Sequence, residues 1–142
     1  MNSSVAEMVI GDVMTRLPHS VGAEQTAHVA RERMKEHNVR HLPVQKGGEL
    51  VGIVSDRDLN FALAVDLKRD TDLRIEEIYT PEPTTVGPHT KLVNVLKKMD
   101  GDQIGCVLVV EKEQLVGIYT TTDACRDFHE LLAEGTVSKR NS

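Results

Sequence analysis

Two short stretches hold residues able to do chemistry. In Gly52-Ile53-Val54-Ser55-Asp56-Arg57-Asp58 an apolar run ends on a hydroxyl, and a carboxylate follows three residues later. Gly117-Ile118-Tyr119-Thr120-Thr121-Thr122-Asp123 repeats the arrangement 65 residues on. Ser or Thr three residues before Asp, directly after an apolar run, marks a helix start. In such a capping box the hydroxyl takes one backbone N–H and the carboxylate takes another. The free N–H groups and partial positive charge of that helix end also suit an anion. Cap and binding site are both open readings at this point.

A second group surrounds the first. Arg40 and His41 precede Leu42-Pro43-Val44, and a guanidinium fork there suits phosphate oxygens as well as it suits water. Arg57 stands beside Asp58. His37 and His41 have the four-residue spacing of a helical metal pair, but Asn38 breaks the helix between them and no carboxylate or thiol completes a ligand set. No metal site is expected. Cys106 and Cys125 have neither metal nor redox spacing and are expected as reduced thiols. No Walker loop, Gly-x-Gly-x-x-Gly or local nucleophile signature is present, so no enzyme activity is expected.

The elements that position these residues come from an internal duplication. Residues 10–59 align without a gap on residues 75–124, with identities at Ile10, Thr15, Pro18, Val21, Gly22, Met34, Val44, Leu50, Val51, Gly52, Ile53 and Asp58. Each copy opens on a short helical turn (10–14, 75–79) and passes through a proline-kinked segment (15–18, 80–83) that belongs at a sheet edge or outside regular structure. A helix follows, with Ala27, Ala30 and Met34, or Leu92, Val95, Leu96 and Met99, as its buried stripe. His37-Asn38 ends the first of these helices and Asp100-Gly101-Asp102 the second. Two strands come next, 42–45 with 50–54 and 107–110 with 115–119. Gly47-Gly48 forms a tight turn in the first pair, and Lys112-Glu113 is expected to form a looser type I turn in the second. A second helix starts at Ser55 or Thr120. The order is β-α-β-β-α per copy with a weak first strand. The organisation is an N-terminal extension (1–8), repeat 1 (9–65), a polar linker (66–73), repeat 2 (74–134) and a frayed C-terminal tail (135–142). Neither half can bury its sheet alone, so the expected fold is α+β, with the repeats packed sheet to sheet about a pseudo-twofold axis.

The strings Ile10-Gly11-Asp12-Val13-Met14-Thr15, Val39-Arg40-His41-Leu42-Pro43-Val44 and Leu50–Leu59, with their second copies, resemble the CBS domain, the repeat named after cystathionine β-synthase. The resemblance covers about residues 9–128 and implies a CBS pair, or Bateman module, of the stand-alone kind. Such pairs commonly bind AMP, ADP, ATP, S-adenosylmethionine or NAD(H) in clefts between the repeats, regulate another protein, and dimerise. The family's nucleotide motif, Gly-hydrophobic-any-Ser/Thr-any-any-Asp, falls on Gly52, Ser55 and Asp58 and on Gly117, Thr120 and Asp123. Ser55, Asp58, Thr120 and Asp123 are then implied in ribose or phosphate binding. Thr15, Pro18, Thr80 and Pro83 would line the purine. Arg40, His41 and Pro43 would serve the phosphates of the cleft of Asp123, and Arg57 the cleft of Asp58. Gly105 and Cys106 replace Arg40 and His41 in the second copy, so the resemblance implies unequal sites, with the Asp123 cleft the better phosphate site.

Composition narrows the function classes further. Hydrophobic residues make up 39% of 142, aromatics only 3% and Trp is absent, so the core is aliphatic. A net charge of −5 argues against nucleic acid as partner. No run reaches membrane-span length, no signal peptide is evident, and a cytoplasmic location is expected. The expected function is a regulatory adenine-nucleotide sensor without a required cofactor, homodimeric, acting on a separate protein. The alternative is a ligand-free interaction or dimerisation module in which Asp58 and Asp123 only cap helices.

Overall fold

A computed structural model describes residues 4–16 and 18–141. Residues 1–3 of the expected extension, Leu17 of the first kinked segment and Ser142 of the expected tail lie outside the described residues. In chain order the elements are α1 (Ser4–Glu7), α2 (Ile10–Val13), β1 (Thr15–Arg16), β2 (Val21–Gly22), α3 (Ala27–His37), β3 (His41–Lys46), β4 (Glu49–Ser55), α4 (Asp56–Asp66), a 3-10 turn (Ile75–Glu77), β5 (Thr80–Pro81), β6 (Thr85–Val86), α5 (Leu92–Asp102), β7 (Cys106–Glu111), β8 (Gln114–Thr120) and α6 (Thr121–Glu134). The fold is α+β, and both copies follow the β-α-β-β-α order with a two-residue first strand. The chain divides into two compact units: Pro18–Pro83, and the residues before Pro18 together with those from Thr84 onward.

In the Pro18–Pro83 unit the sheet order is β2-β3-β4-β5. Ala27, Ala30 and Met34 face a core of Val21, Leu42, Val44, Val54, Leu59, Leu73 and Ile75, as the stripe predicts. Thr26 caps α3 through Val29 N–H, and left-handed Asn38 (φ 53°) ends it. The polar linker has a structural task. Leu73 is fully buried, and the carbonyls of Leu73 and Asp70 accept the N–H groups of Ala27 and His28, two of the donors a helix start leaves free.

In the other unit the order is β1-β8-β7-β6, and the core joins Met8, Ile10 and Val13 to Leu92, Val95, Met99, Val107, Val109, Tyr119 and Val137. The kinked segments take sheet edges, as proline requires. Each one edges the sheet built by the other copy: β1 pairs with β8 and β5 with β4.

Three expectations are corrected. Helix α5 runs through Gly101 and ends on Gln103 (φ 54°), which stands 65 residues after Asn38, so the αL stop follows the repeat and not the glycine. The turn at Lys112 (φ 51°) and Glu113 (φ 65°) is left-handed at both positions, like that at Gly47 (59°) and Gly48 (83°), because both hairpins close with the same two-residue loop. The tail is docked, not frayed. Val137 is buried, and the N–H groups of Arg140 and Asn141 donate to the Asp12 carbonyl at 2.8 and 3.1 Å. Asn141 Nδ2 donates to the carbonyls of Gly11 (3.2 Å) and Met14 (2.6 Å). These carbonyls belong to the end of α2, which has few internal acceptors satisfied.

A turn that holds two side-chain-bearing residues at positive φ is strained relative to Asn-Gly. Lys112→Asn combined with Glu113→Gly is therefore expected to raise stability by about 1 kcal/mol. The urea midpoint should rise at unchanged slope, and a midpoint at or below the wild-type value would refute this.

Candidate functional site

Strand β4 ends on Ser55 and β8 on Thr120, and each is the N-cap of the helix that follows. Ser55 Oγ accepts Asp58 N–H at 3.1 Å, and Asp58 Oδ2 accepts Ser55 N–H at 3.2 Å. Thr120 Oγ1 and Asp123 Oδ2 reproduce this at 3.4 and 2.9 Å. The capping box is thus formed twice, and in both copies it engages only Oδ2 of the carboxylate. Oδ1 of Asp58 has no protein partner among the described residues, whereas Oδ1 of Asp123 meets Arg126 Nη2 at 3.1 Å.

Strand register places the neighbours. His41 lies opposite Ser55, and Pro43, Ile53 and Thr80 form one row across β3, β4 and β5. Residues paired in register share a face, so these stand together on the face turned away from Leu42, Val44 and Val54. In the second unit Cys106 lies opposite Thr120, and Leu108, Ile118 and Thr15 form the matching row. The first unit therefore gathers His41, Pro43, Ser55, Asp58 and Thr80, and the second gathers Thr15, Thr120 and Asp123. Arg40 and His41 belong to the unit of Asp58. Arg40 is exposed and lies 3.7 Å from Asp56, and Arg57 is exposed. Pro18 and Pro83 are half-buried at the two ends of the Pro18–Pro83 unit. His37 closes α3 and stacks on His19, with ring centroids 3.3 Å apart.

Burial pushes the His41 pKa down, against the pull of Asp56 and Asp58, so the imidazole is neutral at pH 7. It can donate or accept one hydrogen bond but adds no charge toward a phosphate. At the matching position burial, then Asp123, pushes the Cys106 thiol up to about 12, which leaves it unreactive. Asp123 is only 8% exposed.

Sequence patterns missed Arg126, Asp127 and Arg140. Asp127 is 4% exposed, accepts the Tyr119 hydroxyl, and lies 2.8 Å from Arg140 Nη2 and 3.9 Å from Arg126 Nε. The Arg140 contact has ion-pair distance without hydrogen-bond alignment at Oδ1. Arg126 had one available signal, its i,i+3 spacing from Asp123. A cavity of about 430 Å³ in this unit is lined by Asp12, Arg16, His89, Glu111 and Asn141. It sits at the hairpin end of the sheet, whereas Thr120 sits at the opposite end.

The family model for the CBS domain matches residues 10–65 and 75–130. An inosine-5'-monophosphate dehydrogenase of Korarchaeum cryptofilum is 36% identical over 116 residues, which cover 81% of this chain but only 22% of that enzyme. The solved CBS domain pair of protein MJ0100, in complex with 5'-methylthioadenosine and S-adenosyl-L-methionine, is 31% identical with a TM-score of 0.78, covering 86% of this chain and 96% of that one. CBSX2 in complex with AMP is 28% identical with a TM-score of 0.72, covering 88% and 98%.

Proposed function

Because this chain belongs to the CBS domain family, we propose that it is a regulatory module that binds an adenosine-containing ligand at the Ser/Thr-x-x-Asp helix starts of its repeats. AMP, ADP or ATP is the leading class, and S-adenosylmethionine or NAD(H) the alternative. One observation carries the reading: each cap uses only Oδ2 of its carboxylate, which leaves Oδ1 outside the cap, shared in Asp123 with Arg126, as an acceptor for a ribose hydroxyl. Capping and ribose binding are therefore compatible and need not compete. The AMP held by CBSX2 and the adenosine compounds held by MJ0100 support the ligand class. The ligand acts through its different affinity for two states of the module or of its complex with a regulated protein. A cytoplasmic setting belongs to the same proposal.

Titration calorimetry tests it. AMP is expected to bind the wild type, and Asp123→Asn to weaken that binding by about tenfold or more, with Asp58→Asn weakening it less. The reverse ranking would overturn the assignment of AMP to Asp123. No binding of AMP, ATP, S-adenosylmethionine or NADH would favour the interaction-module reading instead.

Exposed apolar side chains on α4 and α6 give that second reading its own support. Phe61 is 71% exposed and Phe128 60%, with Val65 and Leu132 also exposed. These fit a homodimer or a docked protein, and patches of this kind mark interaction surfaces. Native mass spectrometry of the purified protein reads ligand mass and stoichiometry together, and a bare monomer would count against both.

A further inference from the structure

We infer that Arg126 makes the Asp123 site selective by charge, favouring phosphorylated adenosine ligands over uncharged ones. This rests on the reading that Asp123 receives ribose hydroxyls. Asp123 Oδ2 is fully used by the cap, accepting Thr120 N–H at 2.9 Å with Thr120 Oγ1 at 3.2 Å. Only Oδ1 remains, and Arg126 Nη2 lies at ion-pair distance from it, 3.1 Å. A ribose hydroxyl that bonds Oδ1 must share this oxygen with the guanidinium or displace it.

The two ligand classes fare differently in that exchange. An uncharged nucleoside weakens an ion pair at a carboxylate that is largely buried and returns only a neutral hydrogen bond. A phosphorylated ligand returns a charge-assisted partner to the same guanidinium, whose planar fork matches phosphate oxygens. Selectivity is the difference between these two affinities, so the pre-existing pair acts against the uncharged ligand. Arg126 is placed for this role. Its side chain is 41% exposed, so it can reach a ligand, while its Nε stays 3.9 Å from the buried Asp127 carboxylate.

The other repeat lacks the device. Sixty-five residues earlier, Phe61 stands where Arg126 does, Ala62 where Asp127 does and Val54 where Tyr119 does. Asp58 carries the same cap, and among the described residues no cation lies on its Oδ1. Charge selectivity is thus built into one of two otherwise matching helix starts.

The test titrates AMP and 5'-methylthioadenosine into wild type, Arg126→Gln and Arg126→Phe, the last installing the residue of the other repeat. Both substitutions are expected to weaken AMP binding by about tenfold while 5'-methylthioadenosine binds as well as before or more tightly. Equal loss of both ligands would show that Arg126 only supports the fold, and an unchanged AMP affinity would show that it does not reach the ligand. Either result overturns the inference, and thermal melts of the unliganded variants establish that they are folded. If Asp123→Asn leaves AMP affinity unchanged, the site assignment itself fails, which is a separate outcome from failure of Arg126 selectivity.

Discussion

Replacing Asp127 by alanine is expected to lower the unfolding free energy by about 2–4 kcal/mol, the cost of leaving the buried Tyr119 hydroxyl without its acceptor and the half-buried Arg140 guanidinium without its anion. Asp127 holds three groups: the Tyr119 hydroxyl, Arg140 at 2.8 Å and Arg126 at 3.9 Å. Tyr119 is fully buried, so its hydroxyl would lose its acceptor with no water to replace it. Burial, then the Asp127 hydrogen bond, already pushes the Tyr119 pKa up, so the phenol stays the donor throughout the working pH range. Arg140 would keep the Val13 carbonyl, at 3.2 Å from Nε and 2.7 Å from Nη2, but lose the anion that balances it. Urea denaturation measures the effect. A loss under 1 kcal/mol would show that water or Arg126 compensates for the missing carboxylate. The double variant Asp127→Leu with Arg140→Met is expected to lose less than Asp127→Ala alone, because it removes both charges together.

That network explains where the sequence was legible and where it was not. The repeat grammar was visible because the two copies align without a gap, and each predicted element has a counterpart 65 residues away. Asp127 has Ala62 as its counterpart and Tyr119 has Val54, so the duplication is silent about them. Arg140 sits in a polar stretch whose composition resembles any fraying terminus. What fixes it is one buried valine, Val137, and the carbonyls of residues 11–14, which a sequence does not display. The same limit applies to Gln103, whose αL conformation ends α5 although glutamine has no preference for it. The candidate site was half legible. The caps and their spacing could be read directly, whereas the occupancy of Oδ1 in one copy only, which decides how the two helix starts differ, depends on a side chain one helical turn farther on.

The two glycines of the repeated motif should respond unequally to substitution, although the motif treats them alike. Gly52→Ala is expected to destabilise by about 3 kcal/mol or more, and Gly117→Ala by about 1–2 kcal/mol. Each glycine lies in a central strand where an edge strand from the other copy crosses: Pro81 pairs with Gly52, and Arg16 pairs with Gly117. A Cβ at position 52 would collide with the Thr80 carbonyl oxygen and with the Tyr79 ring, whose Cε2 would lie 2.7 Å away. The carbonyl is backbone and can yield only if β5 leaves β4. A Cβ at position 117 would meet Met14 instead, with its sulfur nearest and its Cγ at 2.8 Å. A methionine with three rotatable bonds can swing aside at lower cost. The motif glycine therefore serves the seating of the edge strand. Urea midpoints of the two variants, each repeated in a Met14→Ala background, decide the matter. Met14→Ala should shrink the penalty of Gly117→Ala and leave that of Gly52→Ala unchanged. Equal penalties in the wild-type background, or an equal response to Met14→Ala, would mean that the identity of the crossing atom does not set the cost.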